Sequence, residues 1–577
     1  MGIGPAIFSS AGQRSEHYVP GAYSRSASIV SGGGGVSAGN GVIMGRSTGG
    51  KPQTLLEFST LAEAAEVLYD GELLNAVAHA FFPGGDYAPQ KIQAMVVNPS
   101  TQSARILKSG ANEEIRVKSV NYGTPMNQIK LRFTAGTNPG THKVTIQYQD
   151  QEEVIDNIRR QSFTLSYIGD GSNAVVDIDN NSFKVTVSGE PGDSLDLAFE
   201  DFKTIDELVT RINTNPAYNA IQIEAEPNVP SNQLDAVTGG DIKTSALTLK
   251  SDFYALLSAL ESSYFIGRGN AEKISLAANK VPDYDDDFIY FQGAIAGTYN
   301  VGNWTDALKQ LEAEDVQIIS TPSTDNAVHT LIANHCIAMS NIQNRKERTA
   351  FVGGPLGETV EEALEKAKAF GVKNVSYCYP SIIASSPITG ESETLAASYF
   401  ACKCLGMETC VAVNEPLTWK SVKVLAFYKK LRTTEMEKLI KGGVLCGGTT
   451  DDNRLAIIRA MTTFQGNVLQ ECERSMVRED FYMNRDLRQR YSRGVGRPGI
   501  GKGGSEEEVL KQASLDWKGE GMIVPADGGD LYWGLIIRKD GDKTYITFNR
   551  NLTAPQNFFF ITANNYVYVS QPTTVAA

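Results

Sequence analysis

Ten residues, Ala350 to Thr359, carry the clearest hint of chemistry in this sequence. A strand-like Ala350-Phe351-Val352 runs into Gly353-Gly354-Pro355-Leu356-Gly357, and a helical pattern follows from Glu361. Strand, glycine turn and helix is the layout that cradles a phosphate, because main-chain N–H groups and the helix dipole face an anion there. A P-loop also needs a lysine beside its Ser/Thr to meet the outer phosphates. Glu358 stands in that place with the opposite charge, and the GxGxxG spacing is missing. The turn therefore reads as a plain strand-to-helix connection.

Other candidate groups fare no better. His329 and His335, with Asp325 and nearby serines, sketch a nucleophilic triad, but no GxSxG elbow presents a strained serine. Both histidines fall on one amphipathic helix, where packed or surface histidines are the default. Asp283-Tyr284-Asp285-Asp286-Asp287 lacks the glycine and distal glutamate of a calcium loop, so it reads as a solvated acidic loop. The seven cysteines, Cys336, Cys378, Cys402, Cys404, Cys410, Cys446 and Cys472, contain no CxxC pair; they read as small apolar core residues. No catalytic residue, cofactor or metal site is assigned. One charged stretch stays open: Arg485, Arg488, Arg490, Arg493, Arg497 and Lys502 stand against Asp486 alone. It is either a solvated face or a patch that meets an acidic patch on another copy, setting register.

The elements behind these residues form blocks. A chain of 577 residues is too long for one core, and three or four domains are expected. A hydrophobic share of 41% argues against wholesale disorder, and a formal charge of −13 against a nucleic-acid binder. No apolar run approaches the roughly 20 residues of a membrane helix, and Met1 to Ser10 lacks signal-peptide features; a chain made and folded in a cytoplasm is expected.

Residues 1–24 read as an extended N-terminal arm. Residues 25–103 supply strand 41–45, helices 61–69 and 73–82 and strand 92–97, the first part of an α/β core. Residues 104–250 alternate apolar and polar positions between Gly, Asn, Pro and Asp, the signal of an inserted antiparallel sandwich or barrel, with one helix at 205–213. Residues 251–420 return to strands alternating with helices, which suggests a doubly wound, mainly parallel sheet. In that block helices are expected at 253–260, 304–314, 328–345 and 361–370, and strands at 288–291, 316–320, 350–352 and 375–379. Residues 421–560 form a C-terminal α/β domain with helix 433–441, one long helix over 464–490 and two alternating strands, 531–538 and 544–549. Residues 561–577 form a C-terminal arm. Both ends carry strand-like pieces without an obvious partner nearby in sequence: Tyr18-Val19-Pro20-Gly21-Ala22-Tyr23 and Tyr566-Val567-Tyr568-Val569. Such strands are suited to pairing with other copies, and Gly32 to Gly35 supplies a hinge.

Several of these segments, taken in order, resemble the sheath proteins of contractile bacteriophage tails. Tyr18 to Tyr23 looks like the family's “PGVY” segment, and Val42-Ile43-Met44-Gly45 with the following helix its first core element. Trp304 to Leu308 with Val316 to Ile319 resembles the start of its central domain. Arg348 to Gly354 and Val375 to Pro380 resemble that domain's later strands. Thr434 to Val444 is similar to its helix–glycine–strand. The β-rich insertion matches poorly. The resemblance implies a non-enzymatic structural subunit of the virion, assembled in the host cytoplasm. It implies stacked hexameric rings around a tail tube protein, with baseplate and tail terminator proteins as further partners, and neither direct nucleic-acid binding nor membrane insertion. It also implies a central domain that is subtilisin-like in shape only, terminal arms that add strands to neighbouring subunits, and contraction that drives the tube through the host envelope. For tube or lattice contacts the C-terminal block with its arginines is the expectation. The competing readings are an α/β hydrolase or nucleotide-binding enzyme with a β-sandwich module, and a cell-surface or capsid shell protein.

Overall fold

In the computed structural model, residues 6–10, 13–17, 39–85, 87–223, 229–495 and 504–558 are described. Their centre is an eight-stranded sheet. Its strands in chain order are β1 (Gly41–Gly45), β2 (Leu55–Phe58), β3 (Ile92–Val96), β4 (Ile318–Ser320), β5 (Thr349–Gly353), β6 (Val375–Tyr379), β7 (Val444–Thr449) and β8 (Leu455–Arg459). Their spatial order is β8-β7-β6-β5-β4-β1-β3-β2. The six inner strands run parallel, and β2 and β8 close the two edges antiparallel. β1, β3, β5 and β6 are buried along their whole length. That is why they read as continuous apolar runs rather than alternating ones.

Helices cover both faces. α1 (Leu61–Leu68), α2 (Glu72–Phe81) and α6 (Ala397–Glu408) pack with Ile43, Phe351 and Cys378 on one face. α3 (Val301–Leu311), α4 (Asn326–Met339), α5 (Val360–Phe370) and α7 (Thr433–Lys441) pack with Val42, Met44, Val352 and Tyr377 on the other. Alternate residues of one strand thus serve opposite cores, as the period of two in a strand demands. The molecule is a mixed α/β protein with several further sheets.

Between β3 and β4 the chain leaves the central sheet and returns. The way out and the way back pair at a neck: Thr101 N donates to Ile295 O (2.9 Å), and Ala104 and Gln292 exchange main-chain bonds (2.8 and 2.9 Å). Two β-rich bodies lie beyond it. In the first, strands 102–109, 112–122 and 271–273 and the sheet of 130–135, 142–148, 151–158 and 289–290 enclose Ile115, Leu131, Phe133 and Ile146. In the second, strands 161–167, 218–222 and 247–250 and the sheet of 173–178, 182–188, 195–198 and 237–241 enclose Phe163, Val176, Phe183 and Leu208.

Helix Asp252–Ser262, expected to open the α/β block, instead packs Phe253, Leu256 and Leu260 into the first of these bodies. Strand Ile289–Tyr290 pairs with Lys130–Leu131 there, not with the central sheet. Periodicity identifies an apolar face but not its neighbour, so these two elements were legible by type and not by place.

One further expectation is corrected. The segment 464–490 is not one helix: a four-residue helix, Leu469–Cys472, precedes α8 (Arg474–Ser492). Within the segment read as the N-terminal arm, residues 6–10 and 13–17 pair with each other antiparallel, Ala6 opposite His17.

Past the sheet, α8 and α9 (Gly504–Gly519) close a small core of Val413, Tyr482, Met483, Ala513, Trp517, Met522 and Ile523. A hairpin of Trp533–Asp540 and Lys543–Asn549 follows. Gly541, at φ +61°, takes the first place of its two-residue loop, where a left-handed backbone suits the strand twist.

Candidate functional site

The groups that suggested chemistry are engaged in holding the fold. Thr359 caps α5 in a reciprocal box with Glu362. Glu358 folds back over the glycine turn, so that a Cβ on Gly354 would lie 2.0 Å from its Oε2. Its Oε1 accepts from Lys366 Nζ (2.6 Å) and Tyr377 Oη (2.7 Å). A phosphate would enter where the chain already keeps its own buried anion beside a helix N-terminus.

His329 Nε2 donates to the Ser323 carbonyl (2.8 Å), while Asp325 caps α4 through Ala327 N (2.8 Å). His335 Nε2 accepts from Arg348 Nη1 (2.6 Å). Burial holds both imidazoles down at about 4, and the Arg348 charge adds to this at His335. Asp285 accepts from Phe133 N (2.7 Å) and Arg105 Nη2 (2.5 Å), and Asp283 from Gly110 N (2.5 Å), so the acidic loop staples the first β-rich body. Burial pushes the thiols of Cys336, Cys402 and Cys446 up to about 12.

The crevice where a parallel sheet usually takes a ligand lies beyond the strand ends at which the order reverses, here β1 and β4. Pro322 fills it. A Cβ on Gly45 would meet Pro322 Cγ at 3.0 Å, and Ser398 Oγ fixes the proline carbonyl at 2.7 Å.

The basic stretch is largely satisfied within the molecule. Arg485 and Arg488 reach Glu347 (4.0 and 2.5 Å), and Arg490 reaches Asp486 and Asp516 (both 2.8 Å), while Arg493 is exposed. Three of the four described arginines of the basic stretch thus have partners inside the molecule. Arg497 lies outside the described residues, as do Tyr18, Val19, Pro20, Tyr23, Tyr566, Val567, Tyr568 and Val569.

Two features escaped the sequence reading. The first is a buried ionic clip under the sheet. Arg474 binds Glu408 through Nε and Nη2 (2.8 and 2.7 Å), bonds Thr349 Oγ1, Ala350 O and Ser376 Oγ (2.9, 3.1 and 3.0 Å) and lies 3.5 Å over Phe351. Arg478 approaches the same carboxylate at 3.5 Å. The i, i+4 spacing of the two arginines was the only available signal. The second is that the hairpin 533–549 forms a sheet of two strands only, with neither outer edge paired among the described residues. Alternation marks its strands but says nothing about its edges.

Residues 297–463, from the neck through β8, match the phage tail sheath protein central domain. The chain carries the central domain of the phage tail sheath proteins. Over 482 residues it is 27% identical to the tail sheath protein of Bacillus phage SP01, covering 79% of each chain. Among solved structures, the sheath tail protein from Listeria innocua aligns with a TM-score of 0.54 at 9% identity, over 90% of this chain and 96% of that one. The sheath tail protein from Desulfitobacterium hafniense aligns with a TM-score of 0.51 at 12% identity, over 92% and 100%. These two likenesses extend the shared fold well beyond the central domain. The role is that of a tail sheath subunit, and the reading as a hydrolase or nucleotide-binding enzyme is not favoured.

Proposed function

We propose that this sheath chain polymerises as stacked hexameric rings around a tail tube, and that the polymer contracts to drive the tube through a host envelope. The N-terminal segment around Tyr18 to Tyr23 and the C-terminal segment Tyr566 to Val569 each add a strand to a sheet in a neighbouring subunit. The observation that carries this reading is the hairpin Trp533–Asp540/Lys543–Asn549. An isolated two-stranded sheet is marginal in water, and each open edge is a row of unmet main-chain donors and acceptors. A strand on either side would complete it by β-augmentation, each hydrogen bond adding about 0.5–1.5 kcal/mol. The open, head-to-tail geometry of such lending produces a stacked polymer rather than a closed dimer.

In this reading the central domain is doubly wound and subtilisin-like in shape, without proteolysis. Arg493 and Arg497 remain the candidates for a lattice or tube contact. Tube, baseplate and tail terminator proteins are the remaining partners, and the particle is assembled in the host cytoplasm. The test is deletion of residues 1–24. Folded monomers that no longer form tubes, seen by negative-stain microscopy and sedimentation, are the expected outcome; normal tubes from the shortened chain would refute strand lending.

A further inference from the structure

The last described residues run back along α8 rather than leaving from the hairpin. Thr553 N donates to Met522 O (2.9 Å), and Arg550 Nη2 reaches Asp480 Oδ1 (3.1 Å) and Asn484 Oδ1 (3.4 Å), two and three turns into the helix. Asn557 Nδ2 then donates to Glu473 Oε2 (3.4 Å) at the start of that helix. The same oxygen accepts from Arg459 Nε (3.3 Å), on the last residue of β8, and the Arg459 guanidinium lies 5.5 Å from the Phe558 ring centre. Glu473 is fully buried, and its second oxygen has no hydrogen-bond partner. One peptide bond on, Arg474 makes the clip to Glu408, β5 and β6 described above.

We propose that Glu473 and Arg474 rivet the root of the C-terminal tail to the central sheet, so that pull on the tail beyond residue 558 passes into β5, β6 and β8. The proposal rests on the reading that the tail is lent to a neighbouring copy. Two features support it. A carboxylate taken wholly out of water is costly unless its charge is compensated. Arg459, the tail residue Asn557 and the N-terminal dipole of α8 supply part of that compensation, against burial that raises the carboxyl, so the one side chain ties the tail to the sheet. Furthermore, two consecutive residues of opposite charge grip opposite partners, Glu473 the tail root and edge strand, Arg474 the strand N-termini and α6. A tail held only by α8 and α9 would load the small C-terminal core, whereas this junction bypasses it.

Arg459→Gln, Glu473→Gln and Asn557→Ala in the full chain test the proposal, the last keeping both buried charges intact. In unassembled protein, hydrogen exchange of peptides covering 553–558 is expected to quicken about tenfold, an opening cost lower by about 1.4 kcal/mol, with exchange in β5 and β6 unchanged. Tubes formed by the variants are expected to shed subunits about tenfold faster on dilution. Wild-type exchange at 553–558 in all three variants would overturn the rivet. Faster exchange with unchanged tube persistence would overturn its part in passing pull from the tail to the sheet. Should the unaltered chain form no tubes, strand lending fails, and the exchange measurement still decides whether the rivet exists.

Discussion

Glu479 shows how burial sets a residue's behaviour. It lies on α8, fully buried, with neither carboxylate oxygen hydrogen-bonded, while Arg550 is held by neighbouring Asp480 instead. Desolvation pushes its carboxyl up to about 8, against the pull of Arg478 and Arg550. The fold therefore binds this proton more tightly than the unfolded chain, where the group titrates near 4.3. The associated stability is fully present below pH ~4.3 and is lost as pH rises through about 8. Glu479→Gln, a permanently neutral mimic, is expected to melt higher than the parent. The gain should grow from pH ~4.3 to 8 and level off above; calorimetry across that range checks it, and a gain independent of pH would contradict the assignment.

At the scale of elements, helices and the hairpin differ in how far they stand alone. α5 is finished locally, with a reciprocal N-terminal box and Gly371 at φ +58° as its left-handed stop. α8 depends on others. Its first turn is held by Glu408 and Arg459, and its last turns by Asp516, Trp517 Nε1 on Asp486 (2.9 Å) and Glu347. The hairpin's main-chain bonds among the described residues are those of its own ladder, and side-chain ties such as Lys539 Nζ to Glu506 Oε1 of α9 (2.9 Å) and Arg550 over the Phe548 ring hold it to the rest. Replacing residues 533–549 with a short Gly/Ser turn is therefore expected to leave the melting of the central domain within a few degrees of the parent, because Trp533 and Asn549 already face each other. The same change should abolish tube formation, and tubes of normal width from it would count against the hairpin as acceptor.

At the scale of the whole molecule, the central sheet carries an insertion that leaves and returns at one neck and also touches its base through Gly123 and Asn121. Asn98 Nδ2 on Ala296 O (2.6 Å) and the Thr101–Ile295 bond bring the two ends of the insertion together. Replacing 102–294 with two glycines should leave a folded central domain. The cost should not exceed about 3 kcal/mol, for apolar surface such as the Tyr69 ring uncovered at the base. Such a chain is expected to retain tube formation, measured by sedimentation and microscopy; a shortened chain that folds but no longer assembles would make the insertion part of the lattice. Asn40, bonded to Gln317 Oε1 (2.9 Å) and Asp315 O (2.9 Å), and Arg474 both sit where parallel strands begin. The entry from the N-terminal segment and the root of the C-terminal tail thus share the end of the sheet at which its parallel strands begin.

The amino-acid order by itself determined the types of most elements and the exclusion of a P-loop or serine elbow, because these depend on neighbours three or four residues apart. Thr204 and Glu207, for example, specify the start of the helix Ile205–Ile212 through a local capping box. It also determined that the chain would alternate α/β and β-rich blocks. Only the tertiary structure decided that Asp252–Ser262 serves the insertion, that the arginines of α8 mostly turn inward to Glu347, Asp486 and Asp516, and that Glu473 joins Asn557 to Arg459. Apart from the i, i+4 pair of Arg490 with Asp486, those contacts link residues 14 or more positions apart. Periodicity reveals which side of an element is buried, whereas the partner on that side is fixed only when the chain has closed its loops.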